Sequence, residues 1–257
     1  MKFTDTHCHI HSKDYPLDPE DVIKDATKDG VTRLICVGQE LDDSKIAIEF
    51  VSKHENTWAS IGIHPHESKH FSKNQKALDE FASLVKKPKV VAIGECGLDY
   101  YYNHSDKGDQ KAILEFQLNL AQENSLPVIF HIRDAFDDFW PIFDQFKGIR
   151  GVVHSFTADT EVLNEALKRG LFISLNGIMT FTKNAIQLTA ARNVPLDKLL
   201  LETDAPYLTP APFRGTICQP KHVKNTAEFL GKLRGDKIEN IALSTNSNAS
   251  ILFNLKD

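Results

Sequence analysis

The amino-acid sequence predicts an α/β fold, a (β/α)8 barrel (TIM barrel), and three observations support this prediction. The chain has 257 residues, a length suited to one barrel, with 41% hydrophobic and 25% charged residues as in ordinary globular proteins. Short apolar runs alternate with segments of helical periodicity along the whole chain. Several runs are uniformly apolar, as are parallel strands buried on both faces of a sheet. We therefore expect a single domain over residues 1–257.

The first strand and helix are predicted near the start of the chain. Residues 2–6 form the first run, and the helix after it is predicted to begin at Asp18, whose side chain can cap the free amides. Pro19 suits the first helical position, because its missing N–H would have no partner there. Gly30 supplies the stop, since glycine readily takes the left-handed conformation found after helices.

Further apolar runs predict the other strands, and helical patterns separate most of them. An open doubly wound sheet, the alternative, would be expected to carry a glycine-rich phosphate loop after an early strand, and the sequence has none. The strands are predicted at residues 34–38, 58–64, 90–95, 128–131, 151–154, 171–175 and 199–202. The helices are predicted over about residues 42–54, 78–85, 109–124, 134–147 and 159–169.

Charge and cysteine usage limit the function classes. The formal net charge of −5 excludes the broad basic face of nonspecific duplex-binding proteins, so any contact with nucleic acid must be local. The four cysteines are far apart and form no C-x-x-C pair, so the sequence indicates neither a disulfide framework nor a zinc knuckle. We therefore expect the protein to be located in the reducing cytoplasm. No stretch resembles a signal peptide or a membrane span, so we expect no membrane association. The oligomeric state stays open, and a monomer is plausible.

Residue types that bind metal ions stand at the ends of several predicted strands. In a (β/α)8 barrel these ends meet on one face, so residues distant in sequence can share a site. Because residues i and i+2 of a strand face the same way, we expect His7 and His9 to point together and Cys8 to point away. The candidate ligands are His7, His9, Glu95, His131, His154 and Asp204.

This ligand set predicts two divalent ions. Four imidazoles and two carboxylates exceed what one tetrahedral ion with an open position uses, and a carboxylate can bridge two ions. Glu95, on a middle strand, is the expected bridge. Imidazole-rich ligation favours zinc or manganese. We expect His7, His9, Glu95 and Asp204 around one ion, and Glu95, His131 and His154 around the other.

Two such ions would ionise a shared water near neutral pH, which predicts a hydrolase. Asp204 can hold an ion and also accept the proton of the water, while His64 can contact the substrate or protonate the leaving group. Arg133 and Arg214 carry planar donors suited to phosphate oxygens. Alternatively, Arg133 pairs with Asp134 or a neighbouring carboxylate.

The residues stand in motifs that together resemble the TatD-type metal-dependent deoxyribonucleases of the amidohydrolase superfamily, over nearly the whole chain. The resemblance implies a TIM barrel, two divalent ions and cleavage of DNA chiefly from 3′ ends. It also implies magnesium as a metal that supports nuclease activity, so zinc, manganese and magnesium all stay open. It also implies that the six candidate ligands are the metal ligands. The motifs are Asp5-Thr6-His7-Cys8-His9, Gly62-Ile63-His64-Pro65-His66, Ile93-Gly94-Glu95-Cys96-Gly97-Leu98-Asp99-Tyr100, His131-Ile132-Arg133, His154-Ser155-Phe156 and Glu202-Thr203-Asp204-Ala205-Pro206-Tyr207.

The chain departs from the family pattern at two places. Ala158 stands where the family usually has glycine, and Cys218-Gln219 replaces a usual Asn-Glu pair. The second change removes a negative charge near the expected site, which bears on substrate preference.

Three functions remain open. The leading one is a 3′–5′ exonuclease that hydrolyses DNA phosphodiesters at single-stranded or frayed ends. The second is an amidohydrolase or esterase acting on a small molecule or an ester-linked adduct with the same binuclear site. The third, a non-catalytic metal-binding barrel, is the weakest. Storage of metal ions would not need the proton acceptor Asp204 or the substrate contact His64.

Other polar and aromatic residues receive structural interpretations. We interpret residues 100–102, three consecutive tyrosines, as packing, with a stacking platform for unpaired bases as the alternative. His66 is interpreted as a turn residue beside Pro65, and His11 and His222 as surface residues.

Overall fold

A computed structural model of the protein describes residues 1–102 and 104–255, in which eight strands form one sheet and follow each other in chain order. The pairs with a defined register are parallel. Parallel strands in this order with helices between them are the arrangement of a (β/α)8 barrel, so the predicted fold class is confirmed. The strands are β1 (Phe3–Cys8), β2 (Val31–Val37), β3 (Thr57–Ile61), β4 (Val90–Asp99), β5 (Val128–Arg133), β6 (Gly151–Val153), β7 (Phe172–Leu175) and β8 (Leu199–Leu201).

Helices follow the strands, and the first helix has the predicted caps. Asp18 accepts hydrogen bonds from the backbone amides of the first helical turn, and Gly30 has a φ of 87° just after the helix ends. Among the described residues, none of the helices combines the length and apolar character that crossing a bilayer requires. The helices are α1 (Pro19–Lys28), α2 (Leu41–Lys53), α3 (Ser68–Phe71), α4 (Gln75–Ser83), α5 (Lys107–Asn124), α6 (Phe136–Phe143), α7 (Thr160–Lys168), α8 (Ala185–Asn193), α9 (Val223–Arg234) and α10 (Ile238–Phe253).

Some element boundaries differ from the predicted ones for local reasons. Strand β3 ends before His64, because the His64 imidazole caps the short 3₁₀ turn Pro65–Glu67 by accepting the His66 amide. Helix α6 begins later than expected, because Asp134 has a left-handed φ of 52°. Strand β4 continues to Asp99, so Glu95 lies inside this strand rather than at its end.

The chain divides into two compact units, of which the first comprises Met1–Cys36 and Ser155–Asp257. Within this unit the segment after β8 runs beside β1: the Asp204 amide donates to the His7 carbonyl at 2.8 Å, and the His9 amide donates to the Ala205 carbonyl at 2.8 Å. Helix α10 packs against β1 and β8. The fully buried core of the unit includes Phe3, Ile35, Leu175, Leu200 and Leu230.

The second unit comprises Val37–His154. In it β4 and β5 pair so that Gly97 lies opposite His131 and Asp99 opposite Arg133. Rings of β5 and α6 form an aromatic cluster in which the Phe130 and Phe139 centroids lie 5.0 Å apart. Burying each such phenylalanine contributes about 1.5 to 3 kcal/mol to the free energy of unfolding.

Candidate metal centre

His7, His9 and Asp204 lie together in the first unit. The two Nε2 atoms are 3.1 Å apart, and the Asp204 Oδ1 atom lies 3.6 Å from His7 Nε2 and 3.3 Å from His9 Nε2. Both imidazoles are buried, whereas the Asp204 side chain is 17% exposed. Cys8 faces the other way, with its thiol 3.5 Å from the Ile35 carbonyl, so the predicted alternation along β1 is confirmed.

A buried carboxylate, Asp5, orients this group. It accepts hydrogen bonds from the His7 amide at 3.2 Å, the Thr203 amide at 2.9 Å and the Thr203 hydroxyl at 2.5 Å. Asp204 follows with a left-handed φ of 60°, a strained conformation for a residue other than glycine. Asp5 thus ties the start of the chain to the loop that presents Asp204. Asp5 was not among the predicted site residues, because the Thr203 loop that it holds lies 198 positions away in the sequence.

Glu202 is a second buried carboxylate that was not among the predicted site residues. Its Oε1 atom accepts the Ser155 amide at 2.8 Å and the Asn176 side-chain amide at 3.1 Å, which holds the carboxylate in one orientation. Its spacing of two from Asp204 was the available signal, since a strand end can present residues i and i+2 on one side.

Glu95 is the centre of the group in the second unit. Its Oε1 atom lies 2.8 Å from His131 Nδ1, 3.4 Å from His154 Nε2 and 3.6 Å from His64 Nε2. Its other oxygen accepts a hydrogen bond from the Gln39 side chain at 3.3 Å. The structure therefore brings the second-unit candidates Glu95, His131 and His154 together, with His64 beside them.

The pKa values in this group follow from burial and mutual charge. Burial acts to raise the pKa of Glu95, but the charges of His64 and His154 and the His131 hydrogen bond outweigh it and hold the pKa well below its usual range. Burial lowers the pKa of His64 to about 4, so this imidazole is neutral at pH 7. For His131, burial is outweighed by hydrogen bonds to the Asp99 and Glu95 carboxylates, which raise the pKa to about 9.

Asp99 is a third buried carboxylate that was not among the predicted site residues. Its Oδ2 atom lies 3.1 Å from His131 Nε2 and 3.0 Å from His66 Nε2. His66 lies in the 3₁₀ turn Pro65–Glu67, as interpreted, and in addition contacts this carboxylate. Asp99 stands four positions after Glu95 on β4, and even spacing on a strand places both carboxylates on one face. A carboxylate on the far nitrogen of a ligand imidazole fixes its tautomer and orientation, which is the role that Asp99 can fill for His131.

The two predicted phosphate-binding arginines are exposed and contact aromatic rings. The Arg133 guanidinium lies 4.0 Å from the Tyr101 ring centroid, and the Arg214 guanidinium lies 3.8 Å from that of Phe181. Arg214 also donates to the Thr209 carbonyl at 3.0 Å. Within the described part of the chain the contacts of Arg133 are with aromatic rings, and no ion pair with Asp134 or another carboxylate is present.

Two histidines interpreted as surface residues are buried. His11 and His222 are each only 5% exposed. The His222 Nδ1 atom accepts the Gln219 amide at 3.1 Å, and its ring stacks on Phe213 with centroids 5.2 Å apart. Cys218, where the chain departs from the family pattern, is also fully buried, so it contributes to the wall behind Thr203 rather than to a polar surface.

The donor atoms of both groups fit divalent cations. His64, Glu95 and His131 each offer one ligand atom, and these atoms lie within 4.8 Å of one another. In the first unit, two imidazole nitrogens and one carboxylate oxygen converge in the same manner. Imidazole nitrogen and carboxylate oxygen are the ligand atoms that zinc and manganese accept.

Comparisons with known proteins agree with this chemistry. Residues 4–254 match the family model described as TatD related DNase. The "Uncharacterized metal-dependent hydrolase YabD" of Bacillus subtilis is 36% identical over 253 residues, covering 98% of both chains. The "3'-5' ssDNA/RNA exonuclease TatD" of Citrobacter koseri is 31% identical over 260 residues, again covering 98% of both. The crystal structure of YjjV, a TatD homologue from Escherichia coli K12, superposes with a TM-score of 0.91 at 27% identity, covering 99% of this chain and 98% of its own.

Proposed function

The chain belongs to the TatD-related DNase family of metal-dependent hydrolases, and from that premise we propose that it is a cytoplasmic 3′–5′ exonuclease acting on single-stranded or frayed DNA. The observation that carries the proposal is the cluster of three imidazoles around one oxygen of Glu95 in a family of metal-dependent hydrolases. The exonuclease activity in the name of the relative from Citrobacter koseri supports the substrate class.

The proposed centre holds two divalent ions. His7, His9, Glu95 and Asp204 would hold one, and Glu95, His131 and His154 the other, because the carboxyl ends of barrel strands meet on one face. Bound divalent ions supply Lewis acidity, which lowers the pKa of water towards neutrality and offsets the charge of phosphate oxygens. Asp99 and Asp5 would act as positioning residues, since they hold His131 and the Thr203 loop respectively.

Asp204 is the proposed base. Its carboxylate is partly exposed, so water can reach it, and the hydrogen bond from its amide to the His7 carbonyl holds it in place. A carboxylate positioned in this way can take a proton from water as that water attacks phosphorus.

His64 is proposed to contact the substrate as a neutral hydrogen-bond donor. Its Nδ1 atom accepts the His66 amide at 3.2 Å, which leaves the proton on Nε2. With a pKa of about 4 it cannot supply a proton as a cation at pH 7, so substrate contact is favoured over protonation of the leaving group. Arg133 and Arg214 are proposed to bind phosphate oxygens through N–H groups that ring stacking leaves accessible.

An exonuclease assay with Asp204→Asn tests this function. Wild-type protein with Mg²⁺, Mn²⁺ or Zn²⁺ should release nucleotides from a 3′-labelled single strand, and a chelator should abolish the release. Asp204→Asn should lower kcat about 100-fold or more, because a positioned general base contributes on that order. Asp197→Asn, an exposed aspartate of the same unit, should match wild type. Hydrolysis of amides or lactones without any release from DNA would overturn the proposal in favour of a small-molecule hydrolase.

A further inference from the structure

We propose that Tyr101, Tyr102 and Arg133 form an aromatic shelf that binds an unpaired nucleobase and its adjoining phosphate. The inference rests on the proposed nuclease function and identifies the side chains that would select single-stranded ends. It revises the interpretation of the tyrosine run as packing, because two of the three side chains are exposed.

The exposure of these rings is the first observation. Tyr101 is 58% exposed and Tyr102 is 43% exposed, although aromatic side chains are usually largely buried. Tyr100 differs, since its hydroxyl donates to Asp138 at 2.7 Å. The Tyr101 and Tyr102 rings meet edge to face with centroids 4.7 Å apart and planes at 85°. The Tyr102 ring also meets two histidine rings, with centroids 5.6 Å and 5.7 Å away, but both tyrosines keep ring surface open to solvent.

The second observation is the cation placed against both rings. The Arg133 guanidinium lies 4.0 Å from the Tyr101 centroid and 5.0 Å from the Tyr102 centroid, within the range of cation–π attraction. Guanidinium stacking uses the face of the group, so the N–H groups at its edge can still donate to a phosphate. The shelf therefore combines flat apolar surface with a phosphate donor.

The third observation is that the shelf is anchored to the proposed metal centre. Asp99 Oδ1 accepts the backbone amides of Tyr101 at 3.0 Å and Tyr102 at 3.1 Å, while its Oδ2 atom holds His131. Arg133 lies opposite Asp99 in the β4–β5 register, and its carbonyl accepts the Tyr100 amide at 2.9 Å. One carboxylate thus positions both the shelf and a candidate ligand.

The chemistry of the shelf fits a single strand better than a duplex. Every base has a π face that can stack on an aromatic ring, and proteins that bind single strands combine such rings with local cations. In a duplex the internal bases are paired and stacked on each other, so their faces cannot reach a ring. The overall charge of −5 makes local contacts of this kind necessary for any nucleic acid to bind.

Binding of a fluorescein-labelled strand of about twelve thymidines, followed by fluorescence anisotropy in a chelator, tests the shelf without catalysis. Tyr101→Ala should raise Kd about 5- to 100-fold, the effect of losing one stacked base. Tyr101→Phe, which keeps the ring, should stay within about twofold of wild type. Arg133→Ala should weaken binding and reduce its salt dependence, because a phosphate contact is lost. Leu243→Ala, a 74% exposed side chain on α10, is the matched control and should bind like wild type.

Kinetics separate failure of the shelf from failure of the proposed function. In the presence of Mn²⁺, Tyr101→Ala should raise KM for the same strand with kcat within about twofold, as for a residue that binds without reacting. If wild type degrades the strand but Tyr101→Ala matches it in Kd and KM, the shelf is wrong and the nuclease function stands. If wild type neither binds nor degrades the strand, the nuclease function fails and the shelf with it. An equal loss of affinity of Tyr101→Ala for a blunt hairpin duplex would also overturn selection of unpaired bases.

Discussion

At the residue scale, Glu95 determines the geometry of the second-unit group, because His64, His131 and His154 all approach one of its oxygens. The mutual attraction also keeps the carboxylate ionised despite its burial. A buried charge with these partners is poorly replaced by an uncharged side chain, since the imidazoles lose their common counter-charge.

Glu95→Gln should therefore lower both metal content and activity. We expect bound metal to fall by half or more and nuclease activity to fall about 100-fold. Replacing a residue that only hydrogen-bonds to a metal ligand already lowers metal affinity or activity about 10- to 100-fold, and a ligand itself should matter at least as much. Elemental analysis of the purified variant gives the first quantity and a 3′-release assay the second. Glu115→Gln, an exposed glutamate on α5, is the control. Full metal occupancy in Glu95→Gln would exclude Glu95 as a ligand.

His222 is expected to make the free energy of unfolding depend on pH. Burial lowers its pKa to about 4, and its Nδ1 atom accepts the Gln219 amide only while the ring is neutral. In the unfolded state the pKa of this histidine is near 6.5, so between pH 6.5 and 4 the unfolded chain binds the proton more readily than the folded protein does. The contribution to the free energy of unfolding is therefore complete above pH 6.5 and is lost as the pH falls towards 4.

Denaturation in urea at pH 7 and at pH 5 tests this linkage. Between pH 7 and pH 5 the free energy of unfolding of the wild type should fall by about 1 to 2 kcal/mol more than that of His222→Asn, because asparagine does not titrate in this range. His70→Asn, a replacement of an exposed histidine, should keep the wild-type dependence. Identical pH dependence in wild type and His222→Asn would contradict the assignment.

At the scale of elements, the pairing of β4 with β5 positions both candidate ligands of these strands. Gly97 lies opposite His131 with a φ of 151°, and a β-carbon there would collide with the His131 carbonyl. The strand can approach this closely only because the residue is glycine. The register of β4 and β5 and the position of the His131 imidazole thus depend on the lack of a β-carbon at Gly97.

Gly97→Ala should push β5 away from β4 and disturb His131. We expect the free energy of unfolding to fall by about 1 to 3 kcal/mol from backbone strain alone, with a parallel loss of bound metal. Gly108→Ala is the control, because nothing lies within 4 Å of its added β-carbon and its helix tolerates alanine. Urea denaturation and elemental analysis measure the two effects. Wild-type stability and metal content in Gly97→Ala would contradict the role assigned to this close approach.

At the scale of the whole molecule, the single domain over residues 1–257 stays a prediction that unfolding can test. Both tryptophans, Trp58 and Trp140, lie in the second unit, so their fluorescence follows Val37–His154 alone. Far-UV circular dichroism follows helices of the entire chain. If the chain is one cooperative domain, the two signals should change together in urea. Separate midpoints for the two signals would indicate that the units unfold independently.

Much of the fold could be predicted because its signals are local. The apolar runs identified every strand, and the caps of α1 were readable from Asp18, Pro19 and Gly30. Boundaries were less predictable: the run ending in Glu95 suggested a strand end, whereas β4 continues to Asp99 in pairing with β5. The backbone hydrogen bonds of a strand can continue through polar residues. An apolar run, however, ends at the first polar residue, so it predicts too short a strand.

The sequence by itself determined the barrel class, the order of the strands, and the alternation that turns His7 and His9 to one side and Cys8 to the other. Only the tertiary structure decided that Asp5 holds the Thr203 loop, that Asp99 links His131 to the exposed tyrosines, and that His222 is buried. The physical reason is the distance along the chain over which each signal acts. Periodicity and capping act over a few residues, whereas the partner and burial of a side chain depend on segments that register brings together from distant parts of the chain.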